Sequence, residues 1–185
     1  MNPSNIFRGA RIRFTAVTEQ AAEAYAKWSE DAEYLRNLDT DYAVPRSADS
    51  FRAEIQAGSG QGGGIEFAVH TVTDDKLIGF AALHSIEWNN QAGRLSIGIG
   101  EKDCRNKGYG TEALQLLLQY AFHELNLNRV GLDVIGSNRA AIRSYEKAGF
   151  IIEGVIREGV LRDHQKVDRI YMGILRREWD KDAMD

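Results

Sequence analysis

The stretch TEALQLLLQYAFHELN at 111–126 constrains the fold more than any other part of the chain. Leu114, Leu117, Leu118, Ala121 and Leu125 recur at helical spacing, so a helix here carries one apolar stripe that must be buried. Short β-type runs flank it, GRLSIGIGE before and RVGLDVIG after. A strand at 95–101, a helix at 108–125 and a strand at 129–135 predict a β-α-β unit. Its strands lie parallel and its helix crosses one face of the sheet.

The remaining segments fit around that unit. ARIRFTAV alternates as a strand does, and Thr18 is expected to cap a helix through EQAAEAYAKWSED. Residues 31–57 read as one or two short helices broken at DTDYAVPRSADS, where Pro45 forces the chain out of helix and Ser47 or Asp49 can cap a restart. IEFAVHTV, KLIGFAALHSI and GRLSIGIGE, separated by turn-forming residues, predict an antiparallel meander. SNRAAIRSYEKAG is a helix opened by Ser137 or Asn138 and closed by Gly149, and FIIEGVIREGVL and VDRIYMGILRREW are two last strands. The class is α/β, one domain over 1–185 around a mixed central sheet.

Two glycine clusters compete for an anion. In GSGQGGG, Gly58, Gly60 and Gly63 satisfy the nucleotide pattern G-x-G-x-x-G, but a helix precedes them and a strand follows. They would sit past a helix C-terminus, where free carbonyls repel phosphate; a mobile connector is the expectation. RNKGYG at 105–110 follows a strand and opens a helix, so first-turn N–H groups and the positive dipole end converge on one point, with Lys107 and Arg105 adding charge. Just upstream, Gly98 and Gly100 alternate with Ile97 and Ile99, and glycines inside a strand suggest a bulge or a closely approaching ligand. Asn138, Ile142 and Tyr145 share one helical face, about 10 Å separating the first from the last, so one long ligand could touch both.

Charge and cysteine usage narrow the partners. The net charge of −4 argues against nucleic acid and suits a cationic or small-molecule partner. Cys104 is the only cysteine, which excludes an internal disulfide and a cysteine-based metal cluster. His70, His123 and His164 show no metal-ligand spacing, so no metal is expected. No stretch approaches the roughly 20 apolar residues of a membrane span, and a cytoplasmic location is expected.

RNKGYG resembles the acetyl-CoA motif Q/R-x-x-G-x-G/A of the GNAT superfamily of N-acetyltransferases. NRAAIRSYEKAGF is similar to its N-x-x-A-x-x-x-Y-E-K-x-G-F segment, and the order of elements agrees over roughly residues 8 to 178. IRFTAV, GYGTEA and EGVLRDHQKVDRIYMGIL look like the branch holding ribosomal-protein N-terminal and polyamine acetyltransferases. The resemblance implies acetyl-CoA as co-substrate and parallel strands that splay apart in the acetyl-CoA core. Backbone amides of Arg105, Asn106, Lys107, Gly108, Tyr109 and Gly110 would grip the pyrophosphate. Gly98, Ile99 and Gly100 would pair with the pantetheine arm, one N–H polarising the thioester carbonyl, while Asn138 bonds the arm and Tyr145 is the general acid. The family often has proline where Lys102 stands.

The implied reaction is direct transfer to a primary amine: a peptide N-terminus or a small polyamine-like or amino-sugar amine. Glu87 and His84 are the candidate bases, each of which also reads as an ordinary turn charge or strand residue. Cys104 lacks a histidine partner at motif spacing and reads as a loop thiol. Glu33, Asp39, Asp41 and Glu87 are candidates for an acidic mouth, Tyr42 and Trp88 for its walls, with the loops at 87–93 and 157–166 beside it. A CoA-binding module without turnover is the competing reading, and a homodimer is left open.

Overall fold

In the computed structural model, which describes residues 5–57 and 64–182, seven strands form one sheet in the order β1-β2-β3-β4-β5-β7-β6. The strands are β1 (Ile12–Ala16), β2 (Ile65–Thr71), β3 (Leu77–Glu87), β4 (Ala92–Ile99), β5 (Arg129–Ile135), β6 (Ile151–Arg162) and β7 (Gln165–Leu175). The helices are α1 (Ala21–Ser29), α2 (Ala32–Leu38), α3 (Ala48–Ala57), α4 (Tyr109–Gln119), α5 (Arg139–Lys147) and α6 (Arg176–Asp182). The first four strands pair antiparallel in chain order, and α4 crosses between β4 and β5, which are parallel. Both features follow the expected mixed α/β plan.

Pairing between β4 and β5 is brief. Ala92, Gly93 and Arg94 align with Arg129, Val130 and Gly131, and there the contact stops. β4 continues along β3 as far as Ile99, whereas β5 continues along β7 from Arg129↔Leu175 to Ile135↔Arg169. The two parallel strands therefore splay, leaving backbone groups on the facing edges without a ladder partner.

The two faces of the sheet are covered differently. Ala113, Leu114, Leu116, Leu117 and Leu118 of α4, with Ala121 and Phe122 of the π-turn that continues it, form the core with inward residues of the strands and with Ile142 of α5. On the other face lie α1, α2 and α3; Trp28 of α1 is buried, but neither α2 nor α3 contains a buried residue.

Local chemistry explains most helix starts. Asp31 accepts from the Tyr34 N–H, Ser47 Oγ from the Ser50 N–H and Asn138 Oδ1 from the Ala141 N–H, at 3.1, 3.2 and 3.1 Å. Gly149 ends α5 at φ +95°. Three expectations are corrected. Thr18 supplies no side-chain cap: α1 starts at Ala21, whose N–H bonds the Thr18 carbonyl at 2.8 Å. The last strand stops at Leu175, and RREW belongs to α6 because the Glu178 carboxylate accepts the Leu175 N–H at 2.8 Å and turns the chain into a helix. Residues 157–166 are no loop but the end of a β6–β7 hairpin, closed by Asp163 and His164 at φ +50° and +61°. The connector expected at Gly58 to Gly64 falls, except for Gly64, outside the described residues. Among the described residues no helix is long and apolar enough to cross a membrane, and none of their His, Cys, Asp and Glu side chains group as a metal site.

Candidate active site

The loop ahead of α4 is built to leave its amides free. A short 3₁₀ turn at Lys102–Cys104 takes the chain out of β4, and the Glu101 N–H is held by the Ile78 carbonyl at 3.1 Å, so the exit is fixed without the family's proline. Cys104 lies in that turn and packs against the core. Asn106 at φ +59° and Gly108 at φ +84° then curl the chain into the first turn of α4. Among the described residues no backbone carbonyl accepts from the N–H groups of Asn106, Lys107 or Gly108, and Tyr109, Gly110 and Thr111 begin the helix, where no earlier turn can supply one. A side chain on Gly110 would meet only Ile99 Cγ1, at 3.6 Å, so space lies open there. Free amides, a helix dipole and room above them fit a pyrophosphate.

Arg105 plays a different part from the one its charge suggests. Its guanidinium donates to the carbonyls of Ile99 at 3.0 Å and Gly100 at 2.6 Å and pairs with Asp31 at 2.7 Å, and its own N–H bonds the Lys102 carbonyl at 3.2 Å. It ties the exit of β4 to α2, and its hydrogen bond holds the Asp31 carboxyl below the usual range. Lys107 lies in the loop itself, and Arg11, a cation that no sequence motif marks, reaches it from the start of the chain. Arg11 donates to the Lys107 carbonyl at 2.9 Å, pairs with Glu112 at 2.9 Å and lies 5.0 Å from the Tyr109 ring. No local signal marks Arg11, because its partners are some hundred residues away in sequence.

The strand glycines also have partners within the chain. A side chain at Gly98 would run into the Tyr34 hydroxyl and Phe80, and one at Gly100 into the Trp28 ring. This corrects the expectation that ligand or bulge accounts for them: α1 and α2 sit so low on β4 that only glycine fits. The backbone of Gly98 and Ile99 is still paired on one side, with Phe80 and Gly79 of β3, and faces the splay on the other.

A cavity of about 410 Å³ occupies the splay. Leu95, Ser96 and Ile97 of β4 all line it, as do Asp133, Val134 and Ile135 of β5. Asn37, Leu38, Asp39 and Thr40 at the end of α2 line it on one face of the sheet and Ala141 and Tyr145 of α5 on the other, so the cavity reaches both faces. Tyr145 and Asn138 line it from α5; His84, Arg94, Arg169 and Tyr171 line it from the sheet. Burial, aided by the nearby Asp133 charge, pushes the Tyr145 hydroxyl up to about 12. Asp133 is itself held by Arg94 and, at 2.6 Å, by Arg169. His84 bonds Ser96 Oγ through Nε2 at 3.0 Å; burial first, then the Arg94 charge, lowers its pKa below the ordinary value. Asn138 caps α5 and donates to the Asn37 carbonyl at 3.4 Å, joining α5 to the end of α2.

Among the candidate residues, then, His84, Asn138 and Tyr145 line the cavity at the splay, Gly98 and Ile99 follow it along β4 with Gly100 just past the strand's end, and Asn106 to Gly110 lead into α4. Glu87 does not join them. It is exposed at the β3–β4 turn, where it accepts from Asn90 at 2.6 Å. Of the suggested acidic mouth, Asp39, Asp41 and Tyr42 line a second, larger cavity beneath α1–α3, whereas Glu33, Glu87 and Trp88 line neither.

Residues 11–151 match the family described as Acetyltransferase (GNAT) domain. The chain is 32% identical over 140 residues to "Putative ribosomal N-acetyltransferase YdaF" of Bacillus subtilis (strain 168), covering 74% of this chain and 75% of that one. Among solved structures it superimposes with a TM-score of 0.83 on a spermidine N-acetyltransferase from Vibrio cholerae in complex with CoA and spermine, 20% identical, over 92% of this chain and 99% of that one. The crystal structure of a protein described as "Probable acetyltransferase" is 28% identical, with a TM-score of 0.79 over 95% and 97% of the two chains. With the family model spanning most of the chain, the protein belongs to the GNAT acetyltransferase family and is an acetyltransferase.

Proposed function

We propose that the chain moves the acetyl group of acetyl-CoA to a primary amine by direct transfer across the splay. The observation that carries this is the cavity running through the sheet. It is lined from α5 on one face of the sheet, the face on which the free amides before α4 lie, and from the end of α2 on the other, where an amine can approach. Residues Asn106 to Gly110 hold the pyrophosphate, the free edge of β4 up to Ile99 holds the pantetheine arm, and a β4 N–H there faces the carbonyl oxygen as charge develops on it. The bound co-substrate supplies an activated acyl group.

An alkylamine is mostly protonated at neutral pH and must lose a proton before it can attack. His84 suits that task better than Glu87: it lines the cavity, and its lowered pKa keeps it neutral and able to accept. The amine nitrogen then bonds the carbonyl carbon, the carbon–sulfur bond breaks, and the sulfur takes a proton so that amide and free thiol result. Tyr145 is the donor that faces this sulfur. Its raised pKa ensures that it carries the proton over the whole working range, and it supports the departing thiolate as a hydrogen-bond donor until the proton released by the amine replaces the one it gives.

The test is release of CoA thiol from acetyl-CoA with a panel of amines and short peptides, together with Tyr145→Phe. The variant should bind acetyl-CoA as the parent does and lose about 100- to 10,000-fold in kcat, the scale of one general acid. Binding of acetyl-CoA with no turnover on any acceptor would establish a binding module instead, and an unchanged kcat in the variant would remove Tyr145 from the chemistry.

A further inference from the structure

The cavity beneath α1–α3 has a volume of about 1030 Å³ and is walled by Tyr25, Trp28, Tyr34, Phe51 and Phe80. At its floor lies a carboxyl group that the transfer reaction leaves unused. Glu66 aligns with Ala82 of β3, and Ala82 with Ser96 of β4, so all three point to the α1–α3 face in one row across the strands. The Tyr25 hydroxyl donates to Glu66 Oε1 at 3.3 Å. Among the described residues no Lys, Arg or His pairs with Glu66; the nearby Arg46 is bound to Glu54 at 2.5 Å and stacks on Phe51. Burial pushes the Glu66 carboxyl upward, as it does the hydroxyls of Tyr25 and Tyr34. A half-buried carboxylate without a counter-ion, set among aromatic rings, is costly unless a cation comes to it, and aromatic faces favour an alkylammonium in such a place.

The distance from this carboxyl to the reacting centre is set by the sheet. From Glu66 across Ala82 to Ser96 is two interstrand spacings, about 10 Å. Leu38 and Asp39 line both cavities, so the two spaces abut. The interval is faced by Phe80, Ala82, Leu38 and the ring of Tyr34, and Asp39 lies where the two cavities abut.

Resting on the acetyl-transfer reading above, we propose that the acceptor is a two-ended amine with a hydrocarbon spacer. Its reactive nitrogen sits at Ser96 and His84, and its far ammonium is held by Glu66 within the aromatic walls. At roughly 1.2 Å per bond for an extended chain, 10 Å corresponds to about eight bonds from nitrogen to nitrogen, the length of diaminoheptane. A shorter diamine cannot span from one end to the other, and a monoamine leaves Glu66 without its cation. Glu66 is in this account a specificity-determining residue and takes no part in the chemistry.

The experiment compares diaminoheptane, heptylamine and diaminopropane as acceptors for the full chain, reading CoA release, and repeats the series with Glu66→Gln. Diaminoheptane should exceed both others in kcat/KM by about tenfold, the value of one well-placed cation contact. The variant should lose that preference through KM, while heptylamine turnover stays within about twofold. Equal kcat/KM for diaminoheptane and heptylamine on the unmodified chain overturns the proposal without any variant, as does a higher value for diaminopropane. So does a variant that loses heptylamine turnover in the same proportion, since that marks Glu66 as structural. These outcomes separate from failure of the transfer reading itself. If other amines or peptides are acetylated but the series is flat, only the two-ended acceptor falls; if nothing is acetylated by protein that binds acetyl-CoA, both fall.

Discussion

The two faces of one sheet are packed to different ends. Against α4 and α5 the strands meet apolar side chains with no accessible surface, among them Leu114, Leu117, Leu118 and Phe122. Against α1–α3 they meet aromatic rings with centroids 5.4 to 6.4 Å apart that nonetheless enclose a large cavity, and Leu38 at its rim is 36% exposed. Close packing supplies stability but leaves no room for a ligand, and rings bridging a gap do the reverse. The splay lies where the two regimes meet, so a rigid cofactor-side wall and an adaptable acceptor-side wall share one opening.

The largest effect that can break this contrast is on stability. Leu117→Ala removes a fully buried side chain from a wall that cannot collapse around it and should cost about 3–4 kcal/mol, read as a fall of roughly 10 °C in Tm. Leu38→Ala, in a wall that is already open, should cost less than about 1 kcal/mol while altering KM for the amine. Equal losses at the two positions would show that the α1–α3 face is as tightly packed as the other.

Next in size is Gly100→Ala. The added methyl meets the Trp28 ring, so α1 must move off β4, at a cost of about 1–3 kcal/mol by thermal denaturation. Because Gly100 also gives its carbonyl to Arg105, the same shift should loosen the strand exit and weaken acetyl-CoA binding measured by calorimetry. A variant with parental Tm would mean that Trp28 is not held against the strand, and the low seat of α1 would be lost as the reason for the glycines.

The sequence is legible where a feature is local. The α4 stripe, the Asn138 cap and the free amides before α4 each depend on residues within one or two turns, and each was readable from spacing and residue type. Gly98 and Gly100 were noticed for the right reason, that something comes close, but a strand does not say whether its neighbour is a ligand or Trp28. Arg105 looked like a phosphate contact because charge can be read from a sequence and direction cannot. Glu66 is the sharper case. In IEFAVHTV it alternates with Phe67 and Val69, the ordinary pattern of a solvated strand face, and only the docking of α1 with Tyr25 and Trp28 turns that face into a cavity floor. The splay has the same origin, since β4 and β5 separate because β7 claims the rest of β5.

The smallest effect separates the two faces most finely, because it asks whether the open one keeps a group that harms stability. The folded-state pKa of Glu66 is raised by burial above its unfolded value, so the favourable contribution belongs to the protonated form. It is complete below the unfolded pKa, near 4.5, and is lost as pH rises through the folded pKa, where the carboxylate ionises without a counter-ion. Glu66→Gln, neutral at every pH, should therefore be the more stable protein at pH 7, by about 1 kcal/mol or roughly 2–4 °C in Tm, with the advantage gone at pH 4. A core glutamate held for structure would give the opposite result, a loss at pH 7. Adding diaminoheptane at pH 7 should raise the Tm of the unmodified chain and leave that of the variant in place, because the cation then offsets the ionised carboxylate. A carboxylate that destabilises the empty protein and stabilises the occupied one is retained for its ligand, and that is the thermal signature by which the acceptor face differs from the packed face behind it.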